Sequence, residues 1–268
     1  MNEGEESRAF AFEVGDEAFV VRVNDKADGF EMDRLIGEVL SESAIPVPEV
    51  VLLAPLDGGG FACVSRRLPG VTLQELPNGG AFEFASAVAQ VLDRLAALDG
   101  ARLSRLAASP PMYAREDWLD FIAAVARLDW RHAGAGARRS IERWTNLVAE
   151  SIARLPHRRG LVHGDFGSNN VLVYRGAVRG VLDWSETRIG DPLYDVANIL
   201  FWRSWLDCME QQCRYFEQRG PWRLAEQESL ICYQLQIGLK TLHEAFADGD
   251  LRLADWAMQR CSEIAAQA

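Results

Sequence analysis

The chain has 268 residues, and 28 lysines and arginines against 39 aspartates and glutamates give it a formal charge of −11 at pH 7. With 49% hydrophobic and 25% charged residues it has the composition of a globular protein, which excludes the disordered and fibrous classes. The acidic balance predicts no nucleic-acid partner and favours a cationic small molecule, although many cytosolic proteins are acidic for solubility alone.

The segment 8–65 is predicted to form a small antiparallel sheet with one helical insert. The β-like runs of apolar residues lie at 10–14, 19–23, 49–54 and 61–65. Gly15-Asp16 separates the first two runs and predicts a hairpin between them. The apolar spacing over 27–43 predicts a short helix, which the prolines at 46 and 48 bring to an end.

After Pro69-Gly70 the apolar residues take the spacing of helices. Helices are predicted around 84–98, 118–128, 141–155, 196–216, 226–246 and 253–266. A β-rich interruption at 160–184 lies between the third and fourth of these. The chain is therefore predicted to be an α+β protein of two lobes, a small β-rich lobe over 1–68 and a larger, mainly helical lobe over 69–268.

The cysteines, histidines and chain start exclude several further classes. The five cysteines show no C-x-x-C spacing and are predicted to be reduced, and the four histidines lack the spacing of a zinc site. No apolar run approaches the roughly 18–20 residues of a membrane span, so no membrane partner is predicted. A secretory signal peptide begins with basic residues that an apolar segment follows, whereas the first ten residues here are acidic. This difference predicts a cytoplasmic protein. Nothing in the sequence indicates a protein partner.

The most informative motif lies within the β-rich interruption. It has the spacing H-x-D-x-x-x-x-N at His163, Asp165 and Asn170, and the following apolar strand ends at Asp183. In phosphoryl transfer an enzyme orients a hydroxyl, accepts its proton and holds Mg²⁺ at the nucleotide phosphates. Kinases use an Asp, a later Asn and an Asp on the next strand for these tasks. The motif predicts Asp165 as the catalytic base and Asn170 and Asp183 as Mg²⁺ ligands.

A chance His-Gly-Asp turn is the structural alternative, with Asn170 closing a loop and Asp183 capping a strand. It would be the better account of His163 to Asp165 taken alone. The kinase spacing of Asn170, the apolar run 171–173 and the second strand ending in Asp183 together favour the phosphotransferase interpretation.

The nucleotide side is predicted from weaker patterns, and no P-loop is present. Arg22 shares a strand face with Val20 and is predicted to grip phosphate oxygens, with an exposed strand arginine as the alternative. An acidic residue of the following helix should position it, and Asp33 is preferred over Glu31 and Glu38.

Two further segments are assigned to the nucleotide. A turn over Gly4–Ser7 is predicted to cover the phosphates, with Ser7 as the contact residue. The hinge between the lobes is predicted at Ser65 and Arg67, where backbone groups would meet the purine. A simple linker between lobes explains this last segment nearly as well.

Asp195 ends the sequence Gly190-Asp-Pro-Leu-Tyr-Asp195, which opens the next helix. A carboxylate in a first helical turn caps backbone amides and is favoured by the helix dipole, so a structural role is the default. We predict that Asp195 and His163 brace the catalytic loop.

A group of acidic and aromatic side chains near the motif is predicted to form the substrate site. Its members are Glu186, Trp202, Trp205, Asp207 and Glu210. Tryptophan faces and carboxylates can bind an aminated sugar by stacking and by charge-assisted hydrogen bonds. Tryptophans at helical spacing are as often core residues. A substrate pocket and a packed core are therefore equally good interpretations of this group.

These motifs resemble the aminoglycoside phosphotransferase family. The family pattern is matched at His163-Gly-Asp165, Asn170, Leu182-Asp183-Trp184 and Gly190-Asp-Pro192-x-x-Asp195. The sequence also resembles the family members that phosphorylate hygromycin B. This further resemblance lies at residues 4–10, 21–24, 27–30, 65–67, 70–74, 163–172, 183–186 and 208–212. The resemblance covers both lobes and is poor between about 78 and 159.

The resemblance implies a bilobal protein-kinase-like fold and transfer of the γ-phosphate of ATP, with GTP as the alternative donor, to a substrate hydroxyl. The implied acceptor is a cationic aminoglycoside-type antibiotic such as hygromycin B, and the implied role is antibiotic resistance. Two alternatives stay open. One is a kinase of another aminoglycoside or of a small cellular alcohol or amine, and the other is a catalytically weak, kinase-like nucleotide-binding protein.

Overall fold

The computed structural model describes residues 8–109 and 118–268. They form a four-stranded antiparallel sheet, followed by a larger part that is mainly helical and contains two smaller sheets. The sheet has four strands, β1 (Arg8–Val14), β2 (Glu17–Asn24), β3 (Val50–Pro55) and β4 (Phe61–Arg66), in the order β1-β2-β4-β3. Helix α1 (Asp28–Leu40) connects β2 to β3. The predicted hairpin and helical insert are therefore confirmed.

The register of the sheet places small residues beside Arg22. Arg22 lies opposite Cys63, and Val20 lies opposite Ser65, on the paired strands β2 and β4. Residues opposite each other, and residues two positions apart, share a face of the sheet. These four side chains therefore lie on one face.

Two smaller sheets carry the predicted catalytic segment. The first contains β5 (Val71–Thr72), β7 (Val171–Tyr174) and β8 (Ala177–Val181), and the second pairs β6 (Gly160–Val162) with β9 (Arg188–Gly190). The chain thus leaves the first sheet at Arg66 and joins another at Val71. This change supports the lobe boundary at residue 68, which remains a prediction.

Helices form most of the remainder. They are α2 (Ala85–Ala96), α3 (Gly100–Ala108), α4 (Trp118–Ala123), α5 (Ala135–Ile152), α6 (Leu193–Trp202), α7 (Asp207–Arg219), α8 (Gln227–Asp248) and α9 (Leu251–Ala265). Helix α8 is central, because it packs against α5, α6 and α9 and is buried without a break over residues 229–239. Within the described ranges, no helix has the length and apolarity that a bilayer crossing requires.

The single helix predicted around 196–216 is wrong. The chain forms α6 and α7 there, because Leu206 has extended backbone with φ −120° and ψ 120°. This break places Asp207 and Glu210 in the first turn of a new helix, where acidic side chains are favoured by the dipole. Helix α3 and strands β5 and β9 were not predicted. Each is short, so its apolar pattern covers few residues.

Candidate active site

The loop between β6 and β7 carries His163, Asp165 and Asn170, and it depends on a glycine. Gly164 has φ +91°, and a Cβ atom there would lie 2.5 Å from the carbonyl oxygen of Glu186. No side chain fits at this approach. Glycine therefore lets the loop lie directly against the segment that follows β8.

Asp165 and Asn170 are hydrogen-bonded to each other. Asn170 Nδ2 donates to the Asp165 backbone oxygen at 2.9 Å and to Asp165 Oδ2 at 2.8 Å. The short 3-10 turn Ser168–Asn170 brings the two side chains together. The amide therefore orients the carboxylate through Nδ2, and its oxygen Oδ1 remains as a ligand atom.

His163 lies fully buried beneath the loop and uses both ring nitrogens. Nε2 lies 2.9 Å from the carbonyl oxygen of Leu182, which can only accept, so Nε2 is the donor. Nδ1 accepts the backbone N–H of Asp165 at 3.3 Å. The ring thus connects the backbone of Asp165 to the strand end that carries Asp183.

Asp195, in the first turn of α6, holds the start of the same loop. Its two carboxylate oxygens accept the backbone N–H groups of His163 and Gly164, at 2.8 and 2.9 Å. Burial raises the pKa of Asp195 to about 6, although His163 and these two N–H groups act in the opposite direction. Asn198, one turn later, donates to the backbone oxygen of Phe166 at 3.2 Å. Helix α6 therefore supports the loop at two points.

Asp183 follows β8 in a left-handed backbone conformation, with φ 56°. Its Oδ1 accepts the Ser185 hydroxyl at 2.7 Å. The backbone N–H of Leu182 donates to the Asn170 carbonyl at 2.8 Å, which brings Asp183 next to Asn170. The two neighbouring residues offer a carboxylate and an amide oxygen, which are ligand types that Mg²⁺ prefers.

The charges around Asp165 also fit a cation. Desolvation raises the pKa of Asp165, although the side chain keeps an opening to solvent, and His163 and Asn170 oppose the rise while the Asp183 and Glu186 carboxylates add to it. Over residues 8–109 and 118–268, no three His, Cys, Asp or Glu side chains converge as a metal-binding group. The predicted Mg²⁺ site thus depends on Asn170 and Asp183, with nucleotide phosphates as the expected further ligands.

Arg22 on β2 is linked to this site by a single carboxylate. Asp33 of α1 pairs with the Arg22 guanidinium through Oδ2 and accepts the backbone N–H of Trp184 through Oδ1 at 2.8 Å. Trp184 directly follows Asp183 in the chain. Arg22 also lies 3.9 Å from the Cys63 sulfur. The residue preferred from the sequence to position Arg22 therefore connects it to the predicted metal-binding segment as well.

The predicted hinge follows β4. Ser65 is buried within β4, and Arg67 is exposed and donates its backbone N–H to the Ala18 carbonyl at 2.8 Å. Their contact with a purine remains a prediction. Ser7, predicted in the phosphate-covering turn, lies outside the described residues.

Glu186 is brought to the catalytic loop, against Gly164. Its Oε2 lies 3.4 Å from Arg188 Nη2 and 3.5 Å from Lys240 Nζ. Glu186 also contributes to the raised pKa of Asp165. Of the predicted substrate residues, it therefore has a direct electrostatic connection to the predicted base.

Asp207 and Glu210 have partners within the protein. Asp207 Oδ2 accepts the backbone N–H of Gly79 at 2.7 Å. Glu210 pairs with Arg203 at 2.9 Å and with Arg214 at 3.2 Å. Partial burial acts to raise the pKa of Glu210, but the two guanidinium groups lower it below its usual value.

Trp202 and Trp205 form a three-tryptophan cluster with Trp256 of α9. Trp202 stacks on Trp256 with ring centroids 5.1 Å apart, and Trp205 lies 5.1 Å from the same ring in a tilted geometry. The Arg252 guanidinium lies 4.8 Å from the Trp205 centroid. The cluster gives both tryptophans packing partners, and their role in substrate binding remains a prediction.

Ser185 and Lys240 contribute to this region without having been predicted from the sequence. Ser185 positions a predicted metal ligand, and Lys240 contacts Glu186 from the distant helix α8. A signal for Lys240 was present, because it is one of only two lysines in the chain and follows the uncharged stretch 229–239. The contact itself joins residues far apart in sequence and could not be read from spacing.

The chain is similar to known phosphotransferases. The profile of the phosphotransferase enzyme family matches residues 1–250. Hygromycin-B 4-O-kinase of Escherichia coli is 42% identical over 273 aligned residues, which cover 98% of this chain and 79% of that protein. Viomycin phosphotransferase of Streptomyces vinaceus is 37% identical over 145 residues, which cover 51% of this chain and 48% of that protein.

A solved structure is similar along the whole chain. It is a thermostable mutant of aminoglycoside phosphotransferase APH(4)-Ia in a ternary complex with AMP-PNP and hygromycin B. The two share 42% identity with a TM-score of 0.91, and the match covers 100% of this chain and 92% of the other. The predicted kinase-like α+β fold is confirmed, and the chain belongs to the phosphotransferase enzyme family that includes the aminoglycoside phosphotransferases.

Proposed function

We propose that the chain transfers the γ-phosphate of ATP to the 4-hydroxyl of hygromycin B, and so inactivates the antibiotic in the cytoplasm. The observation that carries the proposal is the hydrogen-bonded pair of Asp165 and Asn170, with Asp183 brought next to Asn170 by the backbone bond from Leu182. The name of the Escherichia coli relative and the AMP-PNP and hygromycin B bound in the similar structure support the donor and the acceptor.

Asp165 is the catalytic base in this proposal. Its carboxylate takes the proton of the acceptor hydroxyl while the hydroxyl oxygen forms a bond to the γ-phosphorus. The bond from that phosphorus to the bridging oxygen of the β-phosphate breaks, and ADP leaves. Asn170 fixes the orientation of the carboxylate through Nδ2. Desolvation raises the pKa of Asp165 toward the working pH, which makes it a stronger base.

Asn170 and Asp183 are proposed to hold Mg²⁺ with their side-chain oxygens. The ion would neutralise charge on the nucleotide phosphates as the bond to the leaving group breaks. Ser185 keeps the Asp183 carboxylate in place through Oδ1. The effect of Asp183 on Asp165 supports a cation here, because two neighbouring carboxylates repel each other.

Arg22 is proposed to bind the non-transferred phosphates. Its guanidinium is held by Asp33, which also binds the backbone beside Asp183. A guanidinium presents several donors in a plane and suits phosphate oxygens. The backbone around Ser65 and Arg67 is proposed to meet the purine of ATP, with GTP as the alternative donor.

The acceptor is proposed to bind beside Glu186. The chain carries a net charge of −11, which favours a cationic antibiotic. Asp207, Glu210, Trp202 and Trp205 are proposed as the outer part of this site. Their protein partners mean that a substrate would have to compete with contacts already present.

The test is release of ADP from Mg-ATP with and without hygromycin B, with the product analysed by mass spectrometry and NMR. We expect antibiotic-dependent turnover and one added phosphoryl group at the 4-hydroxyl. A panel with viomycin, other aminoglycosides and small amino alcohols runs beside it. Turnover with one of these and not with hygromycin B would keep the kinase and overturn the acceptor.

No turnover with any acceptor, together with a thermal shift on adding Mg-ATP, would overturn the enzymatic proposal in favour of a nucleotide-binding protein. Replacing ATP by GTP in the same assay decides the donor. Omitting Mg²⁺ and adding EDTA should abolish turnover, because the proposed site has only two protein ligands for the ion.

A further inference from the structure

Lys240 is placed unusually for this chain. It is one of two lysines, and it lies on α8 directly after the fully buried stretch 229–239. Its Nζ atom lies 3.5 Å from Glu186 Oε2 and 5.9 Å from the centroid of the Phe121 ring. The ammonium group is therefore next to a carboxylate and at the outer limit of a cation–π contact.

Glu186 has two cationic partners of different character. The Arg188 side chain is 8% exposed, and its guanidinium lies 3.9 Å from the Phe121 centroid. The Lys240 side chain is 35% exposed, and the Glu186 side chain is 40% exposed. Arg188 is thus a fixed part of the protein interior. Lys240 forms a solvent-exposed pair, which is weak and exchanges readily.

This pair lies beside the catalytic loop. The backbone oxygen of Glu186 would lie 2.5 Å from a Cβ atom at Gly164, the residue before Asp165. The Glu186 Cβ atom would lie 2.8 Å from the same position, so the side chain itself begins at this contact. A positively charged group bound to Glu186 is therefore close to the hydroxyl that Asp165 would deprotonate.

We propose that Lys240 marks an ammonium subsite of the acceptor, and that an amino group of the acceptor displaces Lys240 from Glu186 on binding. The inference rests on the proposed function and assigns a specificity-determining role to Lys240. The ammonium of the lysine and that of an amino sugar have the same charge and hydrogen-bonding capacity. Lys240 therefore competes with the acceptor for one carboxylate.

The test is the variant Lys240→Met, which keeps an apolar side chain of similar length and removes the charge. We expect the KM for hygromycin B to fall about two- to fivefold, the range given by loss of an exposed ion pair. The kcat and the KM for ATP should stay unchanged. Lys26→Met is the matched control, because Lys26 is exposed at the end of the first hairpin.

Two further arms separate this role from a structural one. In a Glu186→Gln background the Lys240→Met substitution should have no effect on the KM, because the shared partner is gone. Hygromycin B with acetylated amino groups should bind wild type and variant equally. An unchanged or increased KM in Lys240→Met, with normal wild-type turnover, overturns the subsite and leaves the proposed function standing.

Absence of wild-type turnover counts against the proposed function instead. The subsite proposal is then tested by calorimetry, which measures the affinity of hygromycin B for the wild type and for Lys240→Met. Tighter binding to the variant supports it, and equal, weaker or undetectable binding overturns it.

Discussion

The catalytic loop and the acceptor side of the site differ in how their charged groups are partnered. In the loop, Asp165 is oriented by Asn170, only five residues away, and the backbone is held by Asp195. On the acceptor side, Glu186 and Glu210 are paired with cationic side chains of the protein itself. The loop is therefore arranged before any ligand binds, whereas a carboxylate on the proposed acceptor side would have to exchange partners to bind one.

This difference separates the parts of the enzyme that set the reaction from those that select the substrate. A prearranged base and metal site can act on different hydroxyls, because catalysis there depends on position and charge. Selection among cationic acceptors depends on which pairs the acceptor can displace. The predictions below test each side of this comparison.

The largest effect is expected for Asp165→Asn. The variant keeps the shape of the side chain but removes the base, so kcat should fall about 100- to 10,000-fold. Nucleotide affinity, measured by calorimetry with Mg-AMP-PNP, should be roughly kept. Asp57→Asn is the matched control, because Asp57 is exposed in the turn between β3 and β4. Wild-type turnover in Asp165→Asn would remove Asp165 from the mechanism.

The buried carboxylate behind the loop should give the protein a pH-dependent stability. The pKa of Asp195 rises from 3.8 to about 6 in the folded protein, so the folded state binds more protons than the unfolded state between these values. The free energy of unfolding should therefore fall as the pH rises through this window. At 1.36 kcal/mol per pKa unit, the loss is roughly 3 kcal/mol.

Urea unfolding of the wild type and of Asp195→Asn, at several pH values from about 4 to 7, measures this contribution. The variant has no titrating group at this position, so the difference between the two stabilities should change across the window and then become constant. Parallel stability curves would mean that Asp195 does not titrate there.

A smaller effect should distinguish the two acceptor-side glutamates. Glu186→Gln is expected to raise the KM for hygromycin B about tenfold, because a charge-assisted hydrogen bond to the acceptor is lost. Glu210→Gln should change this KM less than about twofold, since Arg203 and Arg214 already occupy its carboxylate. It should instead lower the melting temperature by a few degrees. Equal effects of the two substitutions on KM would contradict the comparison.

The five cysteine thiols are expected to react slowly with thiol reagents in the folded protein. All five cysteines are free and buried, as the sequence predicts for a reduced protein. Burial raises the pKa of Cys208 to about 11 and that of Cys213 to about 12, so thiolate is scarce at neutral pH. Ellman's reagent should label none of them quickly in the folded protein and all of them in denaturant. Rapid labelling of a folded sample would show that part of the fold opens.

The parts of the molecule that local spacing determines were predictable. The first hairpin follows from alternating apolar residues around Gly15-Asp16, and the arrangement of Asp165 and Asn170 follows from their spacing within one loop. In both cases the partners are close in sequence, so the geometry of a turn or strand brings them together. The family pattern around Asp195 similarly pointed to the catalytic loop.

The parts that depend on long-range contacts were not predictable from spacing. The hydrogen bond from Trp184 to Asp33 joins residues 151 positions apart, and the Glu186–Lys240 pair joins two elements that the sequence keeps separate. The pair of Glu210 with Arg203 likewise crosses the break between α6 and α7, whereas the pair with Arg214 has the i,i+4 spacing of a single helix. Such pairs depend on how helices and sheets pack, which a single sequence does not encode in any local pattern.

The two bonds of Asp33 constrain how the first sheet can move relative to the segment that carries Asp183. Its carboxylate holds Arg22 of the first sheet with one oxygen and the backbone of Trp184 with the other. A rotation that moved β2 away from Trp184 would break a buried hydrogen bond, which is less favourable than breaking an exposed one. The motion with the lowest free-energy cost is therefore a rotation about Asp33 that keeps both of these bonds. The distance between Arg22 and Asp183 should then stay nearly constant when the nucleotide enters and leaves.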